Sequence, residues 1–368
     1  MADLMRKAEI QRFVGDAYRA IGTPTGAGAA VYTGEQLAAL PPGAVTWSLG
    51  LGNPLAHADL RPGDLVLDVG SGGGIDALLA ALRVGPGGRV VGLDLVAEMC
   101  ERARAHAREA GLAGVAFVRG EMEAVPLADA SVDAIVSNGV VNLSPRKMRA
   151  LFECARVLRP GGRFCIADMT LEEEELPVEV LTHPAAWSGC VSGAMAERAL
   201  LRSLTRVGLT DVVVHERRGL GIADCARYPL FAPELLDTMR RTIPPERQGR
   251  FATCVTVSAR RPGPDVAPGE DIASAGKRNR SPSGVVFQGM SEQPPTFDAG
   301  DRHCGDGVEH DLRGWWSGMP AGTRTVVIVR DPSTKADVPA LARLLGHTVE
   351  EEREADGLRR VTVRTGGA

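Results

Sequence analysis

Aromatic residues make up only 4% of this 368-residue chain. So thin a supply argues against the stacking platforms that hold single-stranded nucleic acid. Basic charge is not in excess either: 42 Lys and Arg face 46 Asp and Glu, for a formal net charge of -4 and a pI near 6.0. Without a basic field, a nucleic-acid partner is not expected. No stretch approaches the roughly 20 apolar residues of a membrane span. The opening Met1-Ala2-Asp3-Leu4-Met5-Arg6-Lys7 lacks the apolar run of a signal peptide. These features lead us to expect a soluble, cytoplasmic protein with no membrane partner. The seven cysteines (Cys100, Cys154, Cys165, Cys190, Cys225, Cys254 and Cys304) are odd in number and contain no C-x-x-C pair. They support neither a disulfide framework nor a zinc ribbon, and no metal site is expected.

Glycine, by contrast, is abundant at 44 residues, and it is concentrated where it carries information. The run Leu65-Val66-Leu67-Asp68-Val69 leads straight into Gly70-Ser71-Gly72-Gly73-Gly74-Ile75-Asp76. An apolar strand with an acid near its end, followed by crowded glycines, describes a nucleoside site. A dinucleotide turn spaces its glycines differently, as G-x-G-x-x-G, so that a helix N-terminus can receive a pyrophosphate.

Around this stretch the sequence alternates. Strands are predicted at 65–69, 89–94, 115–119, 132–137 and 163–168, and helices at 74–84, 96–111 and 145–158. Gly85-Pro86-Gly87-Gly88 and Pro160-Gly161-Gly162 act as breaks. An amphipathic helix leads the chain over 1–21, and a helix at 195–207 and strands at 211–217 and 251–259 follow the alternation. Repeated β-α-β units imply an α/β, doubly wound, parallel sheet. Length favours two domains. The first is expected over 1–259. A linker over 260–283 is rich in Pro, Gly, Ser and charge. A smaller α/β unit over 284–368 is expected to hold strands at 296–298 and 324–330, helices at 306–318 and 334–346, and a hairpin over 348–364.

Ligands of open parallel sheets bind at the carboxyl ends of the strands. Asp94, closing the second strand, reads either as a ribose ligand or as a helix N-cap. Glu121 and Met122 follow the third strand and can edge an adenine. Asn138 follows the fourth, beneath the remainder of such a ligand.

Several segments together resemble the bacterial arsenite methyltransferases, class I methyltransferases that use S-adenosylmethionine. They are Ser48-Leu49-Gly50-Leu51-Gly52-Asn53-Pro54, the Asp68 to Asp76 run, Glu123 to Leu127, Ser137 to Pro145 and Trp187 to Ala194. The resemblance implies a Rossmann-like methyltransferase fold and S-adenosylmethionine as cofactor. It implies that Asp68, Gly70, Ser71, Gly72, Asp94, Leu95, Glu121, Met122 and Asn138 hold the cofactor and that Tyr18 closes over it. That family offers cysteine thiolates to a soft trivalent metalloid. Here Leu51 and Gly139 stand where two of those cysteines would be, the loop 22–34 has none, and Cys190 remains. One thiolate cannot assemble a multidentate site, which points away from arsenite. Cys190 reads either as a functional thiol or as a small core residue, and His183, seven positions earlier, as a base or a structural histidine.

Phe297-Asp298-Ala299, Cys304, Pro320-Ala321-Gly322, Asp331-Pro332-Ser333 and Leu345-Gly346-His347 resemble the TusA-like sulfur carriers, a two-layer α/β sandwich. In those proteins a cysteine at the head of the first helix carries a persulfide, and Cys304 occupies that place. The family's C-P-x-P motif is here Cys304-Gly305-Asp306-Gly307, and the added acid opposes thiolate formation. A sulfur carrier and a docking or dimerising module both remain open. The function expected is methyl transfer to a small soft nucleophile, most simply sulfur. Its partners would be that acceptor, a sulfur-relay protein and a second copy of the chain. Arsenite methylation with a reduced thiol set, carbon or nitrogen methylation, and a non-catalytic cofactor-binding regulator are the alternatives.

Overall fold

The computed structural model describes residues 2–22, 26–171, 176–263, 294–299, 319–330, 347–355 and 358–366. It also describes positions 308, 312, 315–316, 338–339 and 342; the side chains of 2–8 and 184 are outside the description. Two compact units divide the chain, Met1–Gly269 and Glu270–Ala368. No helix among the described residues is long and apolar enough to cross a membrane.

The first unit is built on eight strands: β1 (Leu65–Val69), β2 (Arg89–Asp94), β3 (Val115–Arg119), β4 (Val132–Asn138), β5 (Leu158–Leu171), β6 (Met195–Ala196), β7 (Thr210–Leu220) and β8 (Ala252–Arg260). Their order is β3-β2-β1-β4-β5-β8-β7, with β6 beside β5. Every residue of β4 is buried, as both faces of a central parallel strand require. Helices Ile75–Val84 and Ala97–Glu109 place Leu78, Ala103 and Ala107 in one apolar cluster with Val66 and Val136. A second cluster joins Leu67, Ile135, Leu151, Ile166 and Val257.

The expected parallel sheet is corrected in one respect. β1 to β5 are parallel, but β8 runs antiparallel to both β5 and β7, so the sheet is mixed. The connection from β7 to β8, holding helices Ile222–Cys225, Pro233–Thr242 and Pro245–Gln248, returns the chain beside β7 in the hairpin sense. Pro160-Gly161-Gly162 is also not a break between helix and strand. The helix ends at Val157 and β5 begins at Leu158, and the register against β4 jumps from Leu158 to Arg163 across a bulge with Gly161 at φ +74.

The second unit holds β9 (Thr296–Asp298), β10 (Arg324–Val329), β11 (Thr348–Ala355) and β12 (Leu358–Arg364) in the order β11-β12-β10-β9. β9 and β10 are parallel and the other pairs antiparallel. Val308, Leu312 and Trp316 recur every fourth residue, as one helix face does, and pack with Val327, Val361 and Val363. Trp316 Nε1 donates to Thr325 Oγ1 at 3.1 Å, so its one polar atom is satisfied in the core. Cys304, and most of the expected helices 306–318 and 334–346, lie outside the described residues.

Candidate active site

The glycine turn follows from backbone conformations that side chains resist. Gly70, Gly72 and Gly74 have φ of +75, +50 and +92, a region glycine enters freely. A Cβ on Gly70 would lie 2.3 Å from Val140 Cγ2, and one on Gly73 would lie 2.6 Å from Trp47 Cβ. The turn is bonded to the neighbouring strand: Gly70 N and Ser71 N donate to Leu93 O at 2.7 and 3.0 Å. Asp94 accepts from Gly72 N and Val96 N, each at 2.8 Å, one on each carboxylate oxygen. Asp94 is not the N-cap of helix Ala97–Glu109, a place taken by Val96, and it lines a cavity. His106 supplies a strut that local spacing did not reveal, with Nδ1 2.8 Å from Gly73 O.

Beneath the turn lies a group of buried carboxyls. Asp68 is 1% exposed, and its Oδ2 has no hydrogen-bond partner among the described residues. Burial first, then the charges of Asp76 and Asp94, hold its carboxyl well above the usual range. Burial also raises Asp76 to about 6, against the opposing hydrogen bonds from Asn138 and Tyr32. Asn138 is fully committed. Its Oδ1 accepts from Leu51 N and Gly52 N at 2.7 and 3.1 Å, and its Nδ2 lies 2.7 Å from Gly52 O, 3.1 Å from Asp76 Oδ2 and 3.1 Å from Tyr32 Oη. Tyr32 Oη in turn donates to Asp76 Oδ1 at 2.9 Å. Asn138 therefore straps the 50–52 segment to the sheet. Tyr32 and Asp76 were missed as site residues; the available signal was an aspartate in the first turn of helix Ile75–Val84, whose other residues before Arg83 are all apolar.

The cavity at these strand ends is lined by Tyr18, Trp47, Gly70 to Gly73, Asp94, Leu95, Gly120 to Glu123, Asn138 to Val140 and Leu143 to Pro145, with further apolar side chains. It brings together every sequence-predicted cofactor residue except Asp68, which is not among its lining residues. Burial, then the charges of Cys190, Asp94 and Asp168, push the Tyr18 phenol well up.

The expected catalytic residues fare differently. Cys190 is not among the residues lining the cavity. It is 5% exposed, and its Sγ donates to Gly139 O at 3.3 Å. Burial, then Asp168 and Cys254, push its thiol well up, so it is protonated at neutral pH. His183 is likewise outside the lining, and its described contact is a structural one. Its Nδ1 accepts from Ala185 N at 3.2 Å, which caps the short helix Pro184–Ser188. Cys304 lies outside the described residues. The six described cysteines are free and buried, and no group of three His, Cys, Asp or Glu among the described residues is placed to hold a metal.

S-adenosylmethionine presents an ammonium, two ribose hydroxyls and an adenine. Asp68 Oδ2 and Ser71 Oγ are buried oxygens without partners beside a turn that no side chain fills, and Gly72 has open space where a Cβ would be. The residues present fit such a ligand. Residues 60–208 match a family model described as a methyltransferase domain. Over residues 60–208 the match and the sheet agree on a class, a methyltransferase domain with a Rossmann-like fold.

Within that class the likeness is to arsenite methyltransferases. The chain is 41% identical over 183 residues to that of Halobacterium salinarum, covering 50% of this chain and 46% of that protein. It is 37% identical over 174 residues to that of Aquipseudomonas alcaligenes, covering 45% and 50%. The crystal structure of an arsenic(III) S-adenosylmethionine methyltransferase from Chlamydomonas reinhardtii is 31% identical, with a TM-score of 0.47, covering 67% of this chain and 76% of that one. The chain spans about half the length of the two curated relatives.

Proposed function

We propose that the protein methylates a small, soft, uncharged nucleophile, most simply a thiol. The carrying observation is the cavity over the glycine turn, with Asp68 Oδ2 and Ser71 Oγ buried and unsatisfied beside it. When bound, S-adenosylmethionine supplies an electrophilic methyl on its sulfonium. Asp94 would accept from the ribose hydroxyls, Asp68 and Ser71 would face the donors of the amino-acid part, and Glu121, Met122 and Leu95 would edge the adenine. Asn138 holds the 50–52 wall, and Tyr18 closes the open side. The acceptor's lone pair takes the methyl as the carbon–sulfonium bond breaks, and a thiol acceptor releases its proton to solvent. Alignment of the two partners by rigid walls is the main contribution of the protein.

The apolar surface of Val14, Leu49, Met99, Val140 and Leu143 supports a neutral acceptor. So does the pairing of Leu51 with Gly139, the two positions where the resemblance implies thiols: a Cβ on Gly139 would lie 3.3 Å from Leu51 Cγ, so the side chain and the gap match. The test is calorimetry with S-adenosylhomocysteine, followed by methyl transfer to a panel of small thiols. Absence of cofactor binding would sink the reading.

A second reading, arsenite methylation with a reduced thiol set, is favoured by one observation. Cys190 and Cys254 share a core cluster, and Cys254 lies close enough to oppose the ionisation of Cys190. Methylated arsenic formed by the purified protein would decide for it. The C-terminal unit, by its resemblance to sulfur carriers, would deliver sulfur from Cys304 across the linker. A persulfide on Cys304 by mass spectrometry, lost in Cys304→Ala, is the expected sign.

A further inference from the structure

The loop from Gly139 to Pro145 forms one wall of the cavity, and its own bonds close a single short turn, Leu143 N to Val140 O at 2.9 Å and Ser144 N to Val141 O at 3.1 Å. Its position is set from behind. Asn142 Nδ2 donates to Asp168 Oδ1 at 2.8 Å and to Met169 O at 2.6 Å, which fixes the middle of the loop to β5. Trp187 Nε1 donates to Leu143 O at 3.1 Å. Gly193 passes so close that a Cβ there would meet Asn142 O at 2.1 Å. The Gly139 end of the loop is held on both sides of the peptide, with Gly139 N donating to Ala167 O at 2.8 Å and Cys190 Sγ lying 3.3 Å from Gly139 O.

The backbone at Cys190 carries a second signal. Its φ is +65, in the left-handed region, which residues with a Cβ seldom occupy unless their surroundings impose it. Cys190 N donates to Trp187 O at 2.9 Å and Val191 N to Ala186 O at 2.8 Å, so the turn is bonded on both sides of the residue. A thiolate ligand or nucleophile would need its sulfur in the cavity. Here the sulfur is spent on a carbonyl of the wall.

We infer that Cys190 is a positioning residue whose thiol serves as a hydrogen-bond donor, holding the Gly139 carbonyl and through it the acceptor wall of the cavity. The inference rests on the reading of this cavity as the methyl-transfer site. A serine hydroxyl can donate in the same place, and an alanine cannot.

The test is amide hydrogen exchange of the 139–145 segment in the full chain, with S-adenosylhomocysteine calorimetry beside it. Cys190→Ala is expected to raise exchange in that segment about threefold, the loss of one weak buried donor. Cys190→Ser is expected to return it to within about 1.5-fold of the parent. Should the alanine variant not fold, Cys190→Gly, whose backbone accepts φ +65 freely, is expected to show the same rise. Parent-like exchange in the folded variants that lack the donor overturns the inference. So does a serine variant that keeps the protected loop yet loses transfer to 2-mercaptoethanol shown by the parent, because the sulfur itself would then be doing chemistry. Failure of the parent to bind S-adenosylhomocysteine counts against the methyltransferase site instead, and the exchange result still judges the loop.

Discussion

The two walls of the cavity are made in opposite ways. The cofactor wall is bonded to its immediate neighbours, with the glycine turn after β1 meeting Leu93 and Asp94 at the end of β2, one crossover further along the chain. The second wall, at the 50–52 segment, is held by partners scattered over the unit. Asn138 reaches Leu51 across 87 positions, Arg218 NH2 reaches Leu51 O across 167 and Tyr228 Oη reaches Gly50 O across 178. A wall built locally can be fixed by a short motif. One built at a distance depends on the whole fold, and its residues can be exchanged singly.

The largest disturbance should come from the strut between the walls. Asn138→Ala strands Asp76 and the backbone groups of Leu51 and Gly52 in a buried site, and is expected to cost at least about 3 kcal/mol in urea unfolding. Gly70→Ala acts on the cofactor wall alone. It combines a φ of +75 with a contact 2.3 Å from Val140, and about 2–4 kcal/mol of strain is expected, read as weakened S-adenosylhomocysteine binding.

The acid cluster should show in pH dependence. Burial raises Asp168 from 3.8 to about 6. As pH climbs from about 4, the unfolded carboxyl ionises first, so the unfolded state gains and stability falls until about pH 6, by at most about 3 kcal/mol, then levels. Asp76, raised to about 6 by the same cause, contributes with the same sign. Asp168→Asn should flatten this slope between pH 4 and 6 in a series of unfolding curves, whatever it does to the level. The smallest effect belongs to His183. Its replacement by Ala removes a helix cap and should cost about 0.5–1 kcal/mol, with S-adenosylhomocysteine affinity kept within about twofold.

The same contrast explains what could be read in advance. Asp68, the glycine run and Asp94 announce themselves through spacing, because the strand that ends and the helix that begins are adjacent in sequence. The strands β1 to β5 were legible through apolar runs and Gly/Pro punctuation. The reversed direction of β8 was not, since Phe251-Ala252-Thr253-Cys254-Val255 reads alike in either sense and the connection alone decides. Tyr32, His106, Arg218 and Tyr228 carry no periodic signal, and each matters because of a partner far along the chain. Cys190 read either as a functional thiol or as a small core residue, and the contact that bears on the choice is with Gly139, 51 positions earlier.

The reversed strand has an evolutionary corollary. Leu220, Ala252 and Leu171 stand side by side across β7, β8 and β5, so the connection from 221 to 251 leaves and rejoins the sheet at one edge, where Tyr228 meets the Gly50 segment. A segment inserted in this way can be lengthened, shortened or replaced while the strands beneath keep their register. The chain thus separates a glycine turn that leaves no room for side chains at Gly70 and Gly73 from a connection whose length the sheet does not set.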